Sequence, residues 1–161
     1  MRFSIKLLAV AALILGARLW FIKASGVSVS LPYFDEWEVG FYTLLPWLNG
    51  QLSMFDLFTP YGEHSIVLSR LLTLLLTVLN DTQWDPLVAT VVNAFIYTIT
   101  VVIFAVILRK LLGTTVENWI LLSITLLGTI PFGWINIIWG FQSAWYLLLG
   151  LTLLTFWGII L

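Results

Sequence analysis

The sequence predicts an all-α, multi-pass transmembrane helical bundle with amphipathic juxtamembrane helices in its first outer loop. Apolar residues make up 61% of the chain and charged residues only 9%, against about 25% charged in soluble domains. That is too little charge to cover a water-facing surface. The mean hydropathy is +1.06. The apolar residues also gather into runs of about 20, the length that crosses a bilayer.

Composition excludes several classes of chemistry. Cysteine is absent, which removes disulfides, thiolate nucleophiles and Cys-based metal sites. One histidine, His64, cannot serve a site that needs two. A net charge of −1 gives no electrostatic footprint for nucleic acid. No repeat or linker divides the chain, which reads as a single transmembrane domain over 1–161.

The first span is 3–22, flanked by Arg2 and Lys6 on one side and by Arg18 and Lys23 on the other. It reads as a retained helix, with a signal peptide as the rival. A second span covers 87–108: Asp85 and Pro86 supply an N-cap and first-turn proline, and Arg109-Lys110 closes it. A third covers 115–131, opened by Thr114-x-x-Glu117 as a capping box and stopped by Pro131. The last apolar run, 142–161, meets no interfacial anchor, so the chain is expected to be the amino-terminal part of a longer protein.

Between the first two spans lies a long polar-rich segment, 25–85. Two helices are expected in it, at 36–48 and 65–79. The second is about 22 Å long, short of the about 30 Å of hydrocarbon. It carries Ser65, Ser69, Thr73 and Thr77 at intervals of four, so it reads as juxtamembrane. Arg2, Lys6, Arg109 and Lys110 then share the cytoplasmic side, as the positive-inside tendency requires. Asp35, Glu36, Glu38, Asp56, Glu63, Asp81 and Asp85 lie outside. The expected location is the plasma (inner) membrane, with a cytoplasmic N-terminus.

Three outer clusters could carry chemistry. In Pro32-Tyr33-Phe34-Asp35-Glu36-Trp37-Glu38, adjacent carboxylates can supply a general base or bind a divalent cation. The same residues also fit a plain N-cap, Asp35 with Glu38 three residues on. In Tyr61-Gly62-Glu63-His64, the start of the striped helix with Arg70 a turn and a half in could hold a phosphate. Equally, Glu63 could satisfy the helix dipole and pair with Arg70. In the turn 131–142, Trp139 reads as an interfacial anchor, whereas Asn136 and Gln142 are amides at membrane depth that could bond a sugar or the first cluster.

The order of these clusters resembles the GT-C class of membrane glycosyltransferases. Within that class it looks most like a group of uncharacterised bacterial membrane proteins. The matching stretches are Asp35-Glu36-Trp37, then Gly62-Glu63-His64-Ser65 with Arg70 following, then Trp139-Gly140-Phe141-Gln142. Ser65 stands where the pattern has a basic residue. The resemblance implies a polyprenyl-phosphate sugar donor used on the outer face of the bilayer. Asp35 would be the general base, with Glu36 supporting it or helping to hold a divalent cation. Glu63, His64, Arg70, Asn136, Trp139 and Gln142 would form the substrate-binding set. It also implies more spans than are present here, so this portion alone is expected to be inactive. Two other functions stay open: a non-catalytic membrane subunit, and a component of a lipid-linked sugar flippase. Transport calls for ionisable groups near the middle of spans, which the pattern of the later spans lacks.

Overall fold

The computed structural model describes residues 2–26 and 31–160. In chain order the helices are α1 (Phe3–Ser25), α2 (Glu36–Val39), α3 (Leu45–Leu48), α4 (Val67–Leu79), α5 (Pro86–Leu112), α6 (Glu117–Thr129), α7 (Trp134–Ile138) and α8 (Ser143–Ile160). A π turn, Gly40–Leu44, joins α2 to α3, and 3-10 turns occupy Asp56–Phe58, Thr114–Val116 and Gly140–Gln142. Among the described residues there is no named strand; Tyr61 and His64 form an isolated antiparallel bridge.

Three helical units are long and apolar enough to cross a membrane: α1, α5, and the 3-10 turn plus α8 over Gly140–Ile159. The chain is therefore an all-helical membrane protein. α5 opens as expected, with the Asp85 carboxylate accepting from the Leu87 N–H at 2.9 Å and Pro86 in its first turn. It runs four residues past the expected end. Arg109 and Lys110 thus stand in its last turn, where cations complement the helix dipole.

The expected third span, 115–131, needs correction. Its α-helix has 13 residues, about 20 Å, and falls short of spanning length. Pro131 explains the early stop: it biases Ile130 to extended backbone, and Ile130 has ψ 130°. The capping box at Thr114 does not form either, because no side-chain bond caps this end. Glu117 instead accepts from Lys6 Nζ at 3.0 Å and Arg109 Nε at 2.9 Å. That triad fastens the start of α1, the end of α5 and the start of α6 to one another.

From this basic end α1 and α6 run parallel, with α5 antiparallel to both. Val10, Ile14, Ala105, Ile120, Leu121 and Ile124 fill the space between them, and Ile22, Ala94 and Ile137 close the far end. The approach of α1 and α6 is close. A Cβ on Gly128 would come within 2.8 Å of Ile14 Cδ1, and Ile14 is fully enclosed. Gly128→Ala should cost about 1–3 kcal/mol by overpacking, lowering the thermal midpoint of the helical circular-dichroism signal. Gly16→Ala, into open space, should not lower it.

The polar segment departs from expectation in detail. The helix expected over 36–48 is broken by the π turn: Pro46 lacks the N–H that an α ladder needs, and Gly40 lies against the Trp84 ring, where a Cβ would fall 2.8 Å away. α4 turns Ser69 and Thr77 of its polar stripe inward, with Ser69 Oγ 2.9 Å from Ser143 Oγ on α8. Its opposite face exposes Leu68, Leu71, Leu75, Val78 and Leu79. An apolar face turned outward suits a helix lying along lipid.

Candidate functional site

The acidic motif begins on an unusual backbone. Phe34 has φ +45°, costly for an aromatic residue, and the turn it makes sends Asp35 and Glu36 to different places. Glu36 is buried, at 6% exposure. Its Oε2 accepts from the Tyr33 N–H at 2.6 Å, and its carboxylate also accepts from the N–H groups of Gly140 and Phe141. Burial outweighs these three bonds and raises its pKa from the ordinary 4.5 to about 7. No side chain caps the short helix that follows Asp35; Glu36 instead closes the Tyr33 turn before that helix and holds the distant start of the Gly140–Ile159 unit.

Asp35 stays half-buried and takes a hydrogen bond from the Tyr61 phenol. Burial first, then that bond, then the charges of Asp35 and Glu38 push the phenol up to about 12, so Tyr61 remains a donor at neutral pH. Its ring packs edge-on to Phe141 at 5.5 Å, and Phe141 stacks on Trp139 at 5.6 Å. Trp139 meets Tyr33 and Phe34 in turn. One aromatic cluster therefore joins all three sequence motifs around the two carboxylates.

Beside it opens a cleft of about 900 Å³ between the α2–α3 unit, the loop after it and the start of α4. Glu38, Tyr42, Gln51, Asp56, Tyr61 and Arg70 supply its polar and aromatic groups. Carboxylates, an amide and tyrosines suit a hydroxyl-rich ligand, since they can accept its protons and stack on its carbon face. Tyr42, Gln51 and Asp56 had no signal in the sequence beyond being polar in an outer loop.

Of the site residues expected from the sequence, Arg70 lines this cleft, whereas Asp35 and Glu36 are not among its lining residues. Arg70 is 5% exposed, and its Nη1 donates to the carbonyls of Asp56, Leu57 and Thr59; it does not pair with Glu63. Glu63 is exposed on the tight turn that Gly62 makes at φ +54°. His64 follows it, with its ring edge-on to Trp145 of α8 at 5.7 Å, and it does not line the cleft. Gln142 Nε2 donates to Asn136 Oδ1 at 2.9 Å, and these two amides line a separate groove along α8. Arg70→Ala would leave three carbonyls without their charged donor. The expected cost is about 2–3 kcal/mol, with faster limited proteolysis between Gln51 and Gly62.

The chain matches no family model, no curated protein and no solved structure. The site must speak through its own geometry. Among the described residues no group of three or more His, Asp or Glu side chains is placed to hold a metal. Glu36 is engaged by backbone N–H groups and Asp35 by Tyr61.

Two α5 residues explain how the Trp139-Gly140 turn is held. Asn93 Nδ2 donates to the Gly140 carbonyl at 2.7 Å and to that of Trp139 at 3.3 Å, and Thr90 Oγ1 to that of Ile138 at 3.2 Å. Unpaired carbonyls at membrane depth are costly, which accounts for polar side chains in an otherwise apolar helix. Arg18, expected as a flank of the first span, is instead inside α1 and 7% exposed, with its guanidinium 3.2 Å from the centre of the Tyr97 ring.

Proposed function

We propose that the chain is the donor-engaging part of a GT-C-like membrane glycosyltransferase of the plasma membrane, with its N-terminus cytoplasmic and its acidic end outside. The observation that carries this reading is the convergence of three short motifs, far apart in sequence, on one aromatic cluster beside a cleft. Asp35 meets Tyr61, Glu36 meets Gly140 and Phe141, and Tyr61 packs on Phe141.

In this reading an acceptor hydroxyl enters the cleft beside Asp35, which takes its proton. The freed oxygen attacks the anomeric carbon of the sugar from the face opposite the polyprenyl phosphate. The carbon–oxygen bond to phosphate breaks, and the lipid phosphate departs with its electron pair; the configuration at the sugar inverts. Tyr61 holds the Asp35 carboxylate in place, and Glu36 positions it by locking the neighbouring turn to α8. Arg70 contributes positive charge to the cleft wall, favouring the charge that develops on phosphate. The test is transfer of radiolabelled sugar from polyprenyl-phosphate donors by the full protein in membranes. Transfer that Asp35→Asn abolishes supports the reading; absence of transfer with every donor, or equal transfer by the variant, overturns it.

A second reading rests on α8, much of whose surface is uncovered: Trp145, Leu148, Leu149, Leu151, Leu154 and Phe156 are all exposed. A packing subunit would present such a face to other helices. Stoichiometric co-extraction with another membrane protein, together with inactivity toward all donors, would favour it.

A further inference from the structure

The cleft chemistry makes no use of Arg18, and the surroundings of this residue are unusual. It sits on a helix of membrane-spanning length, beside Tyr97, which stands 12 residues from Arg109 along α5, or about 18 Å from that basic end. The guanidinium is therefore well inside the about 30 Å of hydrocarbon. It lies on the Tyr97 ring and 6.0 Å from the centre of the Tyr146 ring, within hydrogen-bonding reach of the Tyr146 hydroxyl. Its Nε has no partner. The ion pairs among the described residues are Lys6–Glu117 and Arg109–Glu117, so no carboxylate of theirs balances Arg18. Aromatic faces recover some energy for a buried cation, but a charge at this depth ordinarily has a counter-anion.

The α8 groove supplies a route for one. Its volume is about 570 Å³. Asn136, Gln142 and Tyr146 line one end, and Leu148, Leu149 and Thr152 continue along α8, over about 15 Å from Gln142 to Thr152. Tyr146 is common to groove and cation: its ring stands beside Arg18, and its hydroxyl donates to the Asn136 carbonyl at 3.0 Å. Trp145 also lines the groove and carries His64 on its ring. Amide donors at one end with a buried positive charge behind them, and an apolar channel beyond, describe a site for an amphiphile with an anionic head.

We propose that the α8 groove binds a phosphate-headed lipid from the bilayer, its head on the Gln142 and Asn136 amides, which Tyr146 braces, and its chain along Leu148 and Leu149, with Arg18 as the counter-charge. The proposal stands whether or not the Asp35 cleft transfers sugar. Native mass spectrometry of the full protein, titrated with phosphatidylglycerol, a long-chain polyprenyl phosphate and phosphatidylcholine, tests it. The wild type should bind both phosphate-anion lipids at least about tenfold more tightly than the zwitterionic one, a gap of about 1.4 kcal/mol.

Arg18→Met should erase that preference, and Lys110→Gln, at the basic end, should leave it intact. Should Arg18→Met fail to fold, the Tyr146→Phe/Gln142→Leu double variant should lower anionic-lipid affinity several-fold without changing that for phosphatidylcholine. A tenfold preference for the polyprenyl phosphate assigns the groove to a lipid phosphate monoester. Equal binding of the two anionic lipids assigns it to bulk phospholipid, and both results uphold the site. Equal affinity of the wild type for anionic and zwitterionic lipids would overturn it and point to a partner protein's acid opposite Arg18. An unchanged preference in folded Arg18→Met, or in the double variant, would overturn it as well.

Discussion

Asp35→Asn should lower sugar transfer by about 10²–10⁴-fold, the range that a positioned general base contributes, while the thermal midpoint stays within a degree or two of wild type. The amide is isosteric and still accepts the Tyr61 hydrogen bond through its oxygen, so the contact that orients residue 35 survives. What disappears is the capacity to take a proton. The half-exposed position also means that no buried group loses its partner. Tyr61→Phe makes the complementary measurement. It leaves the carboxylate but frees its orientation, so transfer should fall less than in Asp35→Asn. A drop in midpoint equal to the drop in activity would identify residue 35 as structural instead.

Glu36 should behave in the opposite way. Glu36→Ala removes the acceptor for three backbone N–H groups, at Tyr33, Gly140 and Phe141, and leaves a void where side chain and turn meet closely. The expected loss is about 3–5 kcal/mol, from unsatisfied buried donors and the cavity together. Glu36→Gln keeps an acceptor and should fold. Its stability should also differ from wild type in pH dependence.

The carboxyl is raised from 4.5 to about 7 in the folded protein, so the folded state holds the proton more tightly than the unfolded one. Its contribution to stability is complete below about pH 4.5. It declines as pH rises toward about 7 and stays at the lower level above that. The wild-type midpoint should therefore fall across that window relative to Glu36→Gln, with the variant the more stable protein at pH 8. Parallel pH profiles for the two proteins would show that folding leaves the Glu36 carboxyl unshifted.

These two neighbours show how far the sequence could be read. The long apolar runs around Ala9 and Ile96 and the Asp85-Pro86 cap depend on local pattern alone, and each appears where that pattern puts it. The third span was overextended because a hydropathy run does not register that Pro131 straightens the residue before it. Asp-x-x-Glu is a common local capping signal, so the pattern offers Asp35 as a cap as well as a base. The short helix that follows has no side-chain cap; two of the three partners of Glu36, Gly140 and Phe141, are more than 100 residues away, and no window of sequence contains that information. Arg18 was placed at a helix edge for a related reason: its proximity to Lys23 resembles an interfacial flank, and only the packing of Tyr97 and Tyr146 around it shows otherwise. The cleft residues Tyr42, Gln51 and Asp56 were illegible because loop geometry, not periodicity, brings them together.

The shortness of α6 has a consequence for the surrounding lipid. It offers about 20 Å of helix, next to α1 at about 34 Å and α5 at about 40 Å, so the bundle is unequal in height around its circumference. Beyond Thr129 the chain continues through Pro131 to Asn136, all exposed, with backbone groups that acyl chains cannot satisfy. Hydrophobic mismatch of this kind is relieved when the leaflet dips toward the short side. Headgroups there would descend to the level of Asn136 and Gln142, and the membrane itself would be thinnest beside α6.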